Sequence, residues 1–318
     1  MLSRRTFLNG TLGAGVLASQ GAQSVFAQSA SAQAPQTQPL KKRPIVDSQV
    51  HIWKANSTER PWVAGLTPQM PEPFTIEKLV PLMDETGIDR AIIVPPSWEG
   101  DRIDYALEAA QRYPSRFGVM GRIPLKTPMT VEQLTRWKSQ PGVLGIRLTF
   151  LGPTAAALKD GTTDWLWPAA EKAGIPIMFL TGGSLPLFGP IAERHPNLTL
   201  IIDHMGLSSQ VVAEKKIPTA IDDAVALAKY KNVSVKVSAA PAYSSEAYPY
   251  NDMTTYIQRL FDAYGPQRAY WGSDATNGHA KASYRERLAH FVQELKFLSE
   301  EDKDWVMGRA ILVRLNWS

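Results

Sequence analysis

The stretch Ile45-Val46-Asp47-Ser48-Gln49-Val50-His51-Ile52-Trp53 decides the fold of this 318-residue chain. It is short, largely apolar and ends in a histidine, the pattern of a buried strand whose last residues reach a polar rim. Gln49 and His51 are two apart and share one face, with Asp47 expected on the same face and deeper. Seven further runs of this kind fall at 90–95, 117–123, 143–149, 175–180, 198–204, 233–238 and 269–274. Amphipathic stretches separate them. Ile76, Leu79, Val80 and Met83 recur at helical spacing and Gly87 stops them, while Tyr105, Leu107, Ala109 and Ala110 run into Tyr113-Pro114. Stretches 220–230 and 256–264 behave alike, with Gly265-Pro266 closing the second. Ser299-Glu300-Glu301-Asp302 reads as a capping box that opens the last helix. Eight strand–helix units in about 270 residues make this an α/β chain of the (β/α)8, TIM-like barrel class. An open doubly wound sheet would carry a Gly-rich turn after its first strand, and none is present. The barrel is expected over residues 44–318, with its longest loops, 54–74 and 239–251, around the mouth.

The residues before it read differently. Residues 1–27 carry Ser3-Arg4-Arg5-Thr6-Phe7-Leu8, a modestly apolar run over 12–18, and Val25-Phe26-Ala27 with small residues where a signal peptidase reads. That is a twin-arginine signal peptide, which implies the twin-arginine export machinery as a partner and the periplasm as destination. Its apolar run is too short for stable membrane insertion. Residues 28–43, rich in Gln, Ser, Ala and Pro and ending in Lys41-Lys42-Arg43, read as a disordered linker. Net charge is +4, falling to +2 when Arg4 and Arg5 leave with the leader, and no basic block is large enough for nucleic acid. The absence of cysteine excludes disulfides, thiolate nucleophiles and cysteine-held zinc.

Barrels of this class place their chemistry where strands end. The polar residues there are Gln49, His51, Arg122, Arg147, His204, Lys236, Ser238 and Asp274. Each alone has a structural reading: His51 as a hydrogen-bonded strand residue, His204 as a loop cap, Asp274 as a helix N-cap. Together, His51, His204 and Asp274 at three rim positions point to an acid–base set. Arg147, inside a strand, requires a carboxylate such as Asp47 or a substrate anion. Lys236 reads as an interior ion-pair partner, and Trp53, Trp98 and Tyr243 as mouth aromatics. His195 and His290 read as surface residues, and His279 as a loop residue within reach of the pocket.

These segments carry a family resemblance. The chain resembles the amidohydrolase-2 group of the amidohydrolase superfamily over nearly all of residues 44–317. The likeness rests on residues 46–53, Gly145-Ile146-Arg147-Leu148, Ile202-Asp203-His204-Met205-Gly206, Val233-Ser234-Val235-Lys236-Val237-Ser238 and Trp271-Gly272-Ser273-Asp274. The resemblance implies a TIM-like barrel and, in many members, one or two divalent metals. Their ligands are two histidines on strand one, a histidine or lysine on strand five, a histidine on strand six and an aspartate on strand eight. Here those positions read Gln49, His51, Leu180, His204 and Asp274, so two ligands are replaced. No metal or other cofactor is therefore expected, the alternative being a single divalent ion such as zinc on the remaining three. The group includes sugar and pyrone-dicarboxylate lactonases, some with depleted metal sites. The expectation is a hydrolase of a small cyclic or activated ester, with Asp274 as general base toward water. His204 and His51 would polarise the carbonyl or protonate the leaving alkoxide, and Arg147, Gln49, Arg122 and Trp53 would bind a small anionic substrate. The alternatives are a metal-dependent amidohydrolase or non-oxidative decarboxylase of the same superfamily, and a non-catalytic periplasmic binding protein.

Overall fold

The computed structural model describes residues 43–318; the expected signal peptide, and all of the expected linker but Arg43, lie outside the described residues. Arg43 itself is buried and pairs with Glu300 and Asp304, so the fold claims the last residue of that linker. Eight parallel strands follow in sequence order: β1 Val46–Val50, β2 Arg90–Ile93, β3 Phe117–Gly121, β4 Val143–Phe150, β5 Ile177–Thr181, β6 Leu200–Ile202, β7 Val233–Ser238 and β8 Ala269–Gly272. Each pairs with the next through β7–β8, and helices fill the intervals, giving a (β/α)8 barrel. Each apolar run expected to be a strand forms one.

Side-chain alternation sorts the apolar residues into two layers. Val46, Ile92, Met120, Met178, Ile201 and Tyr270 meet inside the barrel, together with Ala310, Ile311 and Leu315 of the last helix, Ala310–Leu315. A larger layer, including Ile93, Val119, Phe179, Val235 and Trp271, packs between strands and helices. The helix signals act as read. Ile76–Thr86 ends on Gly87 at φ 74°, a left-handed turn that glycine adopts without a Cβ clash. Ser299 accepts from the Asp302 amide and opens Glu300–Asp304.

The barrel closes between β8 and β1 by hydrogen bonds outside the ladder. Ser48 Oγ donates to Trp271 O (2.7 Å), Ser273 N to Asp47 Oδ1 (2.8 Å) and Asp274 N to Gln49 O (2.9 Å). Gly272 permits that approach, since a Cβ there would lie 2.7 Å from Ser48 Oγ and 3.2 Å from Gln49 N. The seam also corrects one expectation. The register shifts between Asp47 and Val50, so Asp47 parts from the Gln49 face. It turns instead toward Ser273 and the hydroxyl of Tyr284 (2.8 Å), which opens helix Tyr284–Ala289.

Candidate active site

Immediately above this seam, the ends of the strands enclose a cavity of ≈ 210 Å³ lined by His51, Leu180, His204, Tyr243, Asp274 and Asn277, among others. The chain turns sharply there. His204 and Asp274 adopt left-handed backbone, φ 51° and 47°. Such conformations cost a residue with a Cβ about 1–2 kcal/mol and cluster where a side chain must be aimed.

Asp274 is fully buried between two imidazoles. Its Oδ1 lies 3.3 Å from His51 Nε2 and its Oδ2 lies 3.7 Å from His204 Nε2. Asn277 Nδ2 donates to Oδ2 (2.9 Å), while Oδ1 has no hydrogen-bond donor. Burial alone would raise the carboxyl; His204, the His51 ring and the Asn277 amide outweigh it and hold Asp274 well below the usual carboxylate range. His204 is pushed down to about 4, first by burial, so its imidazole is neutral at ordinary pH. Its Nδ1 lies 2.9 Å from Ser238 Oγ.

The His51 tautomer follows from its neighbours. Nδ1 lies 2.6 Å from Val94 O, which only accepts, so Nδ1 carries the proton. Lys236 Nζ only donates, and it donates to Gln49 Oε1. The Gln49 amide is thereby oriented with Nε2 toward His51 Nε2, 3.3 Å away, and donates to it. Lys236 is fully buried and pairs with Asp203 (2.6 Å), which also takes Arg147 Nε (3.0 Å). Burial alone would raise Asp203, but its two cations bring it down to about 2. Arg147 therefore pairs with Asp203; the carboxylate expected for it, Asp47, faces elsewhere.

The structure brings His51, His204, Asp274 and Arg147 to one cavity. Arg122 reaches Arg147 through Thr149, whose hydroxyl accepts from both (3.2 and 2.5 Å), and lines an adjoining cavity. Gln49 lies beneath the chamber, with its amide spent on Lys236 and His51. Trp53 is fully buried against Phe74 and Trp98, and it is Trp98 and Tyr243 that line the cavity. Two readings of histidine change: His290 is 1% exposed, not a surface residue, and His195 is half-buried against Glu171. His279 is exposed and outside the chamber's lining. Sequence reasoning missed Asn277, whose one signal is its spacing of three residues from Asp274, enough for a turn to fold it back.

A divalent ion would have to draw on His51 Nε2, His204 Nε2 and Asp274. The unpartnered Oδ1 suits one, but the Gln49 amide occupies the His51 lone pair and Leu180 adds no donor to the chamber. Among the described residues no three His, Asp or Glu side chains are grouped to hold a metal ion. The side chains as placed do not fit one.

The family described as Amidohydrolase matches residues 46–311. The L-fucono-1,5-lactonase of Burkholderia ambifaria is 27% identical over 248 residues, 72% of this chain and 79% of that protein. A 4-sulfomuconolactone hydrolase of Hydrogenophaga intermedia is 26% identical over 213 residues, 64% and 66% of the two chains. Among solved structures, an amidohydrolase from Burkholderia multivorans with bound HEPES superposes with a TM-score of 0.72 at 20% identity, over 86% of this chain and 99% of that one.

Proposed function

The chain belongs to the amidohydrolase family, and from that premise we propose that this hydrolase opens lactones, or similarly activated esters, by direct attack of water and without a metal. The observation that carries the proposal is the buried Asp274 carboxylate, ionised, with Oδ1 free of donors at the floor of a small chamber. A lactone carbonyl is more electrophilic than an amide, so a positioned base and a hydrogen-bond donor for the developing oxyanion suffice. The lactones named for the relatives support this substrate class.

In this reading a water on Asp274 Oδ1 loses a proton to the carboxylate as its oxygen bonds to the carbonyl carbon. His204, neutral above about pH 4, supplies an N–H to the oxyanion without bringing a charge that would quench the base. The ring C–O bond then breaks, and the alkoxide takes the proton back from Asp274. Asn277, donating to Oδ2, keeps Asp274 aimed, while His51, held by Gln49 and Val94, sets an unprotonated Nε2 3.3 Å from Oδ1. Export by the twin-arginine route to the periplasm, argued from Arg4 and Arg5, remains part of the proposal.

The test is metal analysis of purified protein combined with a lactone and ester panel, with and without chelator. Turnover of lactones that survives chelation supports the reading. Stoichiometric metal with chelator-sensitive turnover would replace it with a metal-dependent amidohydrolase or decarboxylase. Tight binding without turnover would leave a binding protein.

A further inference from the structure

The reaction chamber is not closed. Arg147 and Thr149 line both it and a second cavity of ≈ 450 Å³ over the ends of β3 and β4. That cavity shares Leu125, Lys126 and Thr162 with a third hollow of ≈ 500 Å³ that runs to Trp165. One track therefore leads from Asp274 past Arg147 and Lys126 to Trp165. A monocyclic lactone has no use for its two outer cavities.

Charge along the track is uneven. Arg147 has a close counter-ion in Asp203, shared with Lys236. Arg122 lines the second cavity beside Thr149, which both cavities share. Its Nη1 donates to Thr149, its Nε has no hydrogen-bond partner, and its nearest carboxylate, Asp101, is 4.0 Å away. Burial first, and the adjacent Arg147 second, push it down to about 10, so it stays charged at neutral pH while short of a counter-ion. Further out, Lys126, Asp160 and Thr162 line the cavity and offer donors and acceptors. That mixture suits hydroxyl groups, which do both, better than a hydrocarbon chain.

We propose that the lactone ring is the terminal unit of a longer, hydroxylated and acidic substrate, chemically the lactone of an acidic oligosaccharide. The ring sits over Asp274, the acid group of the arm meets Arg122, and the rest of the arm follows the track toward Trp165. This rests on the lactone-hydrolase reading.

Three probes separate ring from arm: gluconic δ-lactone, its glucosyl conjugate and its glucuronosyl conjugate. kcat/KM is expected to rise along that series, with a gain of about ten-fold or more from neutral to acidic arm, the scale of one charge-assisted hydrogen bond. Arg122→Gln brings the acidic-to-neutral ratio to near one. Thr162→Trp, which fills the junction of the outer cavities, lowers the ratio of armed to bare lactone. Wild-type ratios at or below one, or an acidic preference untouched by Arg122→Gln, overturn the inference and leave the lactonase reading standing. If none of the three is hydrolysed, that reading fails instead. Calorimetric binding of the three ring-opened acids then decides the arm: tighter binding of the glucuronosyl acid supports it, and equal affinities overturn it.

Discussion

At the barrel rim His204 is 3% exposed, and in the helical layer His290 is 1% exposed; burial pushes both imidazoles down to about 4. Their surroundings differ. His204 faces an ionised carboxylate, a serine hydroxyl and an open chamber, on a left-handed backbone. His290 lies among the rings of Tyr250 and Phe291, and neither of its nitrogens has a hydrogen-bond partner. The same burial thus yields a chemical group in one region and an unrewarded polar group in the other. What separates them is whether partners and empty space converge on the ring, which a perturbed imidazole alone does not reveal.

The largest expected effect tests the rim. Asp274→Asn keeps the shape of the side chain but removes the base, and should lower kcat on any lactone turned over by about a hundred- to ten-thousand-fold. Intact turnover would erase the functional half of the contrast. Next comes the support beneath it. Lys236→Met takes a buried cation from Asp203 and from the Gln49 amide, and denaturant unfolding should show a loss of about 3–5 kcal/mol. A loss below about 1 kcal/mol would mean that Arg147 alone satisfies Asp203.

The helical layer answers to pH. His204 and His290 both bind protons less readily folded than unfolded, where 6.5 applies, so stability is present above about pH 6.5 and is lost as pH falls toward 4. His290→Phe should recover about 2 kcal/mol of that loss at pH 4.5, with far less effect at pH 7 and none on kcat. A matching drop in kcat would place His290 in the reaction and dissolve the distinction. The smallest effect belongs to Ser238→Ala, which removes the hydroxyl beside His204 Nδ1. A loss of about ten-fold or less in kcat/KM is expected, the weight of one neutral hydrogen bond.

The fold was legible because a barrel strand buried on both faces must be an apolar run, and each such run ends in a glycine, a proline or a polar rim residue. His51, His204 and Asp274 were legible for the same reason, since strand parity carries each to the rim. What escaped reading turns on single-residue geometry. The register shift after Asp47 reverses the side that parity assigned to it, and with that Arg147 acquires Asp203. Trp53, three residues past the strand, falls behind Trp98. His290, at the start of a π-helical turn, His290–Glu294, is covered by the ring of Tyr250, a contact 40 residues away in sequence that local spacing does not show.

The seam between β8 and β1 has a kinetic consequence. Ser273 and Asp47, joined across it, are 226 residues apart in sequence. His51 and Asp274 face one another only once that contact is made, so the carboxylate has His204 alone beside it until the first and last strands have met. Closure over such a span is entropically demanding and belongs to the slow end of folding. Turnover therefore doubles as a gauge of ring closure: in a refolding experiment, activity should return after helical circular dichroism has recovered.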